Sequence, residues 1–188
     1  MTASSAQSTP AGDDARIAAI LHDPARLGEI VRLGLADPLP TGSAADALRA
    51  LVRHVAQECD APAAVVGVLL DDAQHVLAAH GLDGAPHLAH GWPVEWSFCR
   101  LTLAEPSGVL AIPDTTRDAR LADNPIVREE GIRAYLGAAL RTSGGHVLGA
   151  LCVLDVVPRH FPAEHATLLR ALAREVVARV EGAAAGAA

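Results

Sequence analysis

Three cysteines and nine histidines carry the thiol and imidazole chemistry of this chain. Cys99 stands in Trp96-Ser97-Phe98-Cys99-Arg100, near a predicted helix N-terminus and beside an arginine. Both features favour a thiolate, so a ligand-facing or redox role is open to it, with core packing as the alternative. Cys152 lies within the apolar run Leu151-Cys152-Val153-Leu154, where a buried, inert thiol is expected. Cys59 falls at a predicted helix C-terminus, where the helix dipole raises a thiol pKa. An odd count without a Cys-x-x-Cys pair argues against a disulfide framework or a zinc knuckle and fits a reducing cytosol.

His80, His87 and His90 cluster in one Gly- and Pro-containing stretch. Three imidazoles could ligate zinc, or one could ligate haem iron. No carboxylate or thiol completes the set at a fixed spacing, so an exposed polar loop is the expectation, with neither metal nor haem. His160 and His165 are five apart across a helix start and do not share a helix face. The chain contains no Gly-x-Ser-x-Gly, His-Glu-x-x-His, Gly-x-Gly-x-x-Gly or Walker A pattern, so no catalytic residue is assigned. Every basic side chain is an arginine, which removes Schiff-base chemistry and a P-loop lysine together. With 15 basic and 22 acidic residues the net charge is −7, which argues against a nucleic-acid partner.

Two further groups could line a site. Trp92, Trp96 and Phe98 are three of only five aromatic residues; they could border a pocket for a flat ligand or fill a core. The polar run Asp114 to Pro125 follows a predicted strand. There Asp114 can hold a turn, Asp118 can pair with Arg120, and Asn124 before Pro125 can start a helix. The alternative for this run is a ligand contact from one or two of its members.

The elements that must position these residues follow from periodicity. Asp23-Pro24 reads as a helix start, with Leu27, Ile30, Val31 and Leu35 on one face. A second helix runs from Ser43 to about Asp60, a short one starts near Ser97, and the last runs from Pro162 to about Glu181. Strands are predicted at 63–70, 74–79, 109–112, 133–141 and 146–157, the last two joined by a hairpin turn at Ser143-Gly144-Gly145. Residues 114–132 read as a loop with short helical turns. Meanders with few crossovers indicate an α+β fold with an antiparallel sheet. Residues 1–12 read as a disordered lead-in, 13–181 as a single domain and 182–188 as a flexible Ala/Gly tail. No apolar run reaches the roughly 20 residues needed to span a bilayer, and the N-terminal stretch lacks signal-peptide features. No membrane association and a cytoplasmic location are therefore expected.

Taken together, these stretches resemble a GAF domain of the kind found in bacterial sensor histidine kinases and diguanylate cyclases. The resemblance rests on Ser97-Phe98-Cys99, on Ile112-Pro113-Asp114 with Asp118-Ala119-Arg120 and Asp123-Asn124-Pro125, on Ile132 to Leu140, and on Gly149 to Asp155 with Pro158-Arg159. It covers about residues 24–181. It implies a PAS-related antiparallel sheet with the terminal helices on one face and a loop-covered ligand cavity on the other. Trp96, Phe98, Cys99, Asp114, Asn124 and Tyr135 are then the candidate ligand-binding residues. Cys99 would border the cavity, Asp114 and Asn124 would face it from the opposite loop, and Tyr135 would rise from its floor.

The implied function is a stand-alone sensory or regulatory module. It would bind an unidentified small molecule, form a homodimer through its terminal helices, and signal through a separate protein partner, as in two-component systems. Without a Cys-His dipeptide no covalent bilin is expected, and the polar motif of cyclic-nucleotide GAF domains is missing. One alternative is a ligand-free dimerisation module whose pocket is filled by Trp96, Phe98 and leucine side chains. Another is a free methionine-(R)-sulfoxide reductase, a GAF subgroup that needs several cysteines around one pocket; the loop 114–132 supplies none.

Overall fold

A computed structural model describes residues 10–36, 42–82, 91–121 and 123–186. Its two central strands, β1 (Ala63–Leu69) and the strand Val147–Asp155, are buried at every position, as their continuous apolar runs require. They pair with one another in a sheet completed by β2 (Ala73–His80), β3 (Trp92–Pro93), β4 (Val109–Ile112) and β5 (Ala134–Arg141), the strand Val147–Asp155 being β6. The spatial order is β3-β2-β1-β6-β5-β4. Every pairing is antiparallel, which gives the α+β architecture.

Side chains alternate across the sheet, so each central strand feeds two cores. Ala64, Val66 and Val68 of β1 join Leu151 and Val153 of β6 on one face. Helix α3 (Ser43–Glu58) covers them through Leu48, Val52 and Val55. The C-terminal helix (Ala163–Gly186) adds Leu169, Ala173 and Val176. On the other face Val65, Cys152 and Leu154 meet α1 (Pro10–Leu21), α4 (Cys99–Ala104), α5 (Pro125–Arg128) and the intervening loops. The remaining helices are α2 (Pro24–Arg32) and, at the C-terminus, α6. Among the described residues no helix is long and apolar enough to cross a membrane.

Local signals set most boundaries. Asp23 caps α2 by accepting from the Ala25 N–H at 2.9 Å, with Pro24 in the first turn. Gly34, at φ 69°, reverses the chain after it. Four elements depart from the sequence expectation, the first being the unpredicted two-residue strand β3. Helix α1 was not foreseen and starts inside the stretch read as disordered; residues 1–9 lie outside the described residues. Its apolar side chains are mostly alanine, so only Ile17, Ile20 and Leu21 mark a buried face. Helix α6 continues to Gly186 and not to about Glu181, since alanine is the best helix former. Strand β6 stops at Asp155, leaving Val156 and Val157 exposed.

One buried charge joins these parts. Arg26 on α2 is 1% exposed. It donates to the carbonyls of Val147 (2.6 Å), Leu148 (3.0 Å), Leu21 (3.3 Å) and Leu69. The pairing of β5 with β6 skips Leu148, since Leu140 faces Gly149 and Arg141 faces Val147. This bulge leaves carbonyls that the ladder does not use, and the guanidinium takes them. Burial pushes the Arg26 pKa down to about 10, with Asp23 and Asp71 opposing that effect, so the side chain stays cationic at neutral pH. Replacing Arg26 by Leu is expected to destabilise the fold by about 3–5 kcal/mol, because buried carbonyls lose their donor. Arg26→Lys is expected to recover less than half of that loss, an ammonium lacking the planar fork. Urea denaturation of the three proteins measures both.

Candidate functional site

The segment between β3 and α4 builds the site. A 3-10 turn, Val94–Trp96, leads into Ser97 and Phe98. The Ser97 hydroxyl donates to the Gln74 side-chain carbonyl and accepts from the Cys99 N–H at 3.1 Å, just ahead of α4. Phe98 packs edge-to-face on Tyr135, with ring centroids 5.7 Å apart at 87°. Tyr135 is fully buried, and its hydroxyl is 2.6 Å from the Thr102 hydroxyl one turn into α4. The phenol lies over Gly137, where any side chain would collide with it. The Cys99 sulfur is 3.9 Å from that of Cys152 on β6.

Among the described residues, Val65, Trp92, Phe98, Cys99, Tyr135 and Cys152, with Ile126 and Leu154, bound a cavity of about 20 Å³. That is room for about one water molecule. Trp92, which lines the cavity, and Gln74, which pairs with it across β2–β3, each carry a buried side-chain N–H (Trp92 Nε1, Gln74 Nε2) with no hydrogen-bond partner among the described residues. The hydrogen bond with Cys152 lowers the Cys99 pKa against the opposing effect of burial. The same contact, then burial, raises that of Cys152. Burial raises Tyr135 and pushes Cys59 up to about 11.

The six candidate residues divide into three groups. Phe98, Cys99 and Tyr135 meet around the cavity. Trp96 and Asn124 lie beside it. The Asn124 carboxamide accepts from Ile126 N–H at 2.9 Å, capping α5, and donates to the Trp96 carbonyl at 2.9 Å. Trp96 itself is 37% exposed. Asp114 lies elsewhere. It caps the 3-10 turn Thr115–Arg117, accepting from Thr116 N–H at 3.2 Å and from the Thr116 hydroxyl at 2.7 Å. It also pairs with Arg133 at 3.2 Å. Those hydrogen bonds, led by the Thr116 hydroxyl, hold its carboxyl below the ordinary range. Asp114 borders a separate open groove of about 1010 Å³ with Arg117, Asp118, Pro158, Arg159 and His160.

Sequence reasoning did not single out Gln74 or Thr102 for the site. Thr102 lies three residues beyond Cys99, on the adjacent helical position, and that spacing was the available signal. Nothing local marks Gln74, which reaches the site because it faces Trp92 in the β2–β3 pairing. Of the histidine cluster, His87 and His90 lie outside the described residues. Among the described residues no group of three or more His, Cys, Asp and Glu side chains is placed to hold a metal.

Comparison with known proteins places this architecture. The family model of the GAF domain matches residues 43–180. A cyclic di-GMP phosphodiesterase of Pseudomonas aeruginosa is 39% identical over 121 residues, which are 63% of this chain and 20% of that protein. The match thus spans about one fifth of the relative's length. Among solved structures, the GAF domain of a phosphoenolpyruvate-protein phosphotransferase from Coxiella burnetii superposes with a TM-score of 0.64 at 19% identity, covering 87% of this chain and 95% of that one. A type II free methionine-R-sulfoxide reductase from Thermoplasma acidophilum gives 0.60 at 12% identity, covering 74% and 93%. At these identities the likeness to both structures is one of fold.

All three cysteines are buried. Bulky maleimides are therefore expected to leave Cys59, Cys99 and Cys152 unlabelled in the native protein and to label all three after unfolding. Mass spectrometry of the intact protein before and after urea addition checks this. Rapid native labelling of Cys99 would place its thiol at an open pocket instead.

Proposed function

This chain belongs to the GAF family, and from that premise we propose that it is a regulatory module of bacterial signalling that acts on a protein partner. The observation that carries this reading is the closed state of the loop-side core. A cavity of about 20 Å³ admits no nucleotide, bilin or amino acid unless the segment around Trp92 to Phe98 moves. The side chains that would greet a ligand instead engage one another: Phe98 with Tyr135, Tyr135 with Thr102, and Asn124 with the Trp96 backbone. These contacts favour the filled-pocket alternative over the expectation of a bound small molecule. The similarity to part of a cyclic di-GMP phosphodiesterase supports a partner that is itself a signalling enzyme.

A thermal-shift screen with cyclic di-GMP, cyclic AMP, cyclic GMP and free methionine sulfoxide tests the closed pocket. A ligand at 100 times its dissociation constant adds roughly 2.7 kcal/mol, an unmistakable rise in melting temperature. No rise is expected with any of the four. A rise with one would establish an opening pocket and name its ligand class.

The output face is proposed to be the helical one. Val31 on α2 is 66% exposed, and Leu168, Leu172 and Val180 of α6 are only partly buried. The ends of these helices are close enough for Glu181 to raise the Arg32 pKa, after the larger effect of Glu29. We propose that two copies pair through α2 and α6. Sedimentation is expected to show a dimer at micromolar concentration, converted to monomer by Val31→Glu together with Leu172→Glu. A wild-type monomer at high micromolar concentration would overturn the pairing.

A further inference from the structure

We infer that Cys99 and Cys152 are a buried thiol pair that a hydroperoxide oxidises to a reversible disulfide. Two residues 53 apart in sequence, on α4 and β6, bring their sulfurs to 3.9 Å. A disulfide needs about 2.05 Å, so the sulfurs must close by roughly 1.9 Å. Cys99 opens the six-residue helix α4, so rotation of its side chain with a small shift of that first turn supplies the movement. Cys152, by contrast, is fixed in the central strand between Leu151 and Val153.

The second observation is the cavity. Both cysteines line it, and its volume of about 20 Å³ suits a water-sized molecule. Hydrogen peroxide is little larger and uncharged, so it needs far less opening of the surrounding packing than a maleimide does. Trp92 lines the same cavity and is nine-tenths buried. Its indole N–H lacks a hydrogen-bond partner among the described residues. The lowered pKa of Cys99 and the raised one of Cys152 make Cys99 the attacking sulfur.

The chemistry balances in two steps. The Cys99 thiolate attacks one peroxide oxygen; the S–O bond forms, the O–O bond breaks, and the departing hydroxide takes a proton and leaves as water. Cys99 is then a sulfenic acid. The Cys152 sulfur, giving up its proton, attacks the Cys99 sulfur; the S–S bond forms, the S–O bond breaks, and a second water leaves. The two thiols lose two electrons and two protons, and one peroxide becomes two waters. A dithiol reductant restores the thiols by exchange. The inference does not depend on which partner the module serves or on dimerisation.

The test uses the full chain. The reduced protein is exposed to hydrogen peroxide, its remaining thiols are alkylated under denaturing conditions, and the cysteine peptides are mapped without reduction. The expected product is a Cys99–Cys152 linked peptide, two hydrogens lighter than its parts, with Cys59 alkylated and dithiothreitol restoring all three thiols. In Cys152→Ser, dimedone is expected to trap a sulfenic acid on Cys99; in Cys99→Ser the same dose is expected to leave Cys152 as a thiol. If Cys99 and Cys152 are still recovered alkylated after the folded protein has been exposed to peroxide, or if Cys59 oxidises first, the inference is overturned. The wild-type map decides this even if a variant does not fold.

Discussion

The position of Arg26 constrains the rest of the molecule. A guanidinium placed out of water must find acceptors for its N–H groups, and among the described residues no carboxylate bonds to this one. Main-chain carbonyls at the ends of α1 and β1 and at the β6 bulge substitute for a counterion. The arrangement works because arginine spreads its charge over a planar fork that can address several directions at once. It also means that the bulge, the end of β1 and the turn between α1 and α2 must form together. Helix α1 is thereby fixed over α4, where Ile17 and Leu21 enter the loop-side core and Asp14 meets Arg100 at 3.3 Å. The start of α4, and so Cys99, inherits its position from a contact on the far side of α1.

The sheet between the two cores is thin in side-chain terms. Glycine and alanine recur through β5 and β6, at Gly137, Ala138, Ala139, Gly149 and Ala150. At Gly149 a side chain would strike the backbone of Gly67 and Val68 on the neighbouring strand. Small residues let large ones cross the space: Tyr135 lies flat over Gly137 and reaches Thr102. The same strands then serve both faces. Cys152 faces the loops, while its neighbours Leu151 and Val153 pack in the core shared with α3 and α6. A displacement of β6 at Cys152 cannot be confined to one face, because a close-packed interior transmits it.

The sequence made legible whatever depends on local signals. Alternation and apolar runs located the major strands, Asp23-Pro24 and Asn124-Pro125 located helix starts, and Ser143-Gly144-Gly145 located the hairpin. Distance along the chain limited the rest. An arginine in the first turn of an amphipathic helix looks solvated, and only the fold shows Arg26 beneath the β6 bulge. Helix α1 presents alanines where a periodicity reading needs larger residues. The family resemblance set Asp114 beside Asn124 on the loop opposite Cys99. The 3-10 turn that Asp114 caps instead directs it towards Arg133 and the separate groove. Phe98, Cys99 and Tyr135 were grouped through the family resemblance, whereas the approach of Cys99 to Cys152 spans 53 residues and leaves no trace in either neighbourhood.

The polar chain inside the loop-side core is the least economical part of the structure. Gln74, Ser97, Cys99, Cys152, Tyr135 and Thr102 occupy positions where leucine or phenylalanine would bury more area without needing partners. A polar network in low dielectric is favourable only when its members are satisfied. Here Ser97, Tyr135 and Thr102 are satisfied, while among the described residues Gln74 Nε2 and Trp92 Nε1 have no partner. An apolar core would close the space more cheaply. Retaining two thiols beside a water-sized void and spare buried donors nearby therefore costs stability that packing alone does not return, and that cost is the physical argument for chemistry at the thiol pair.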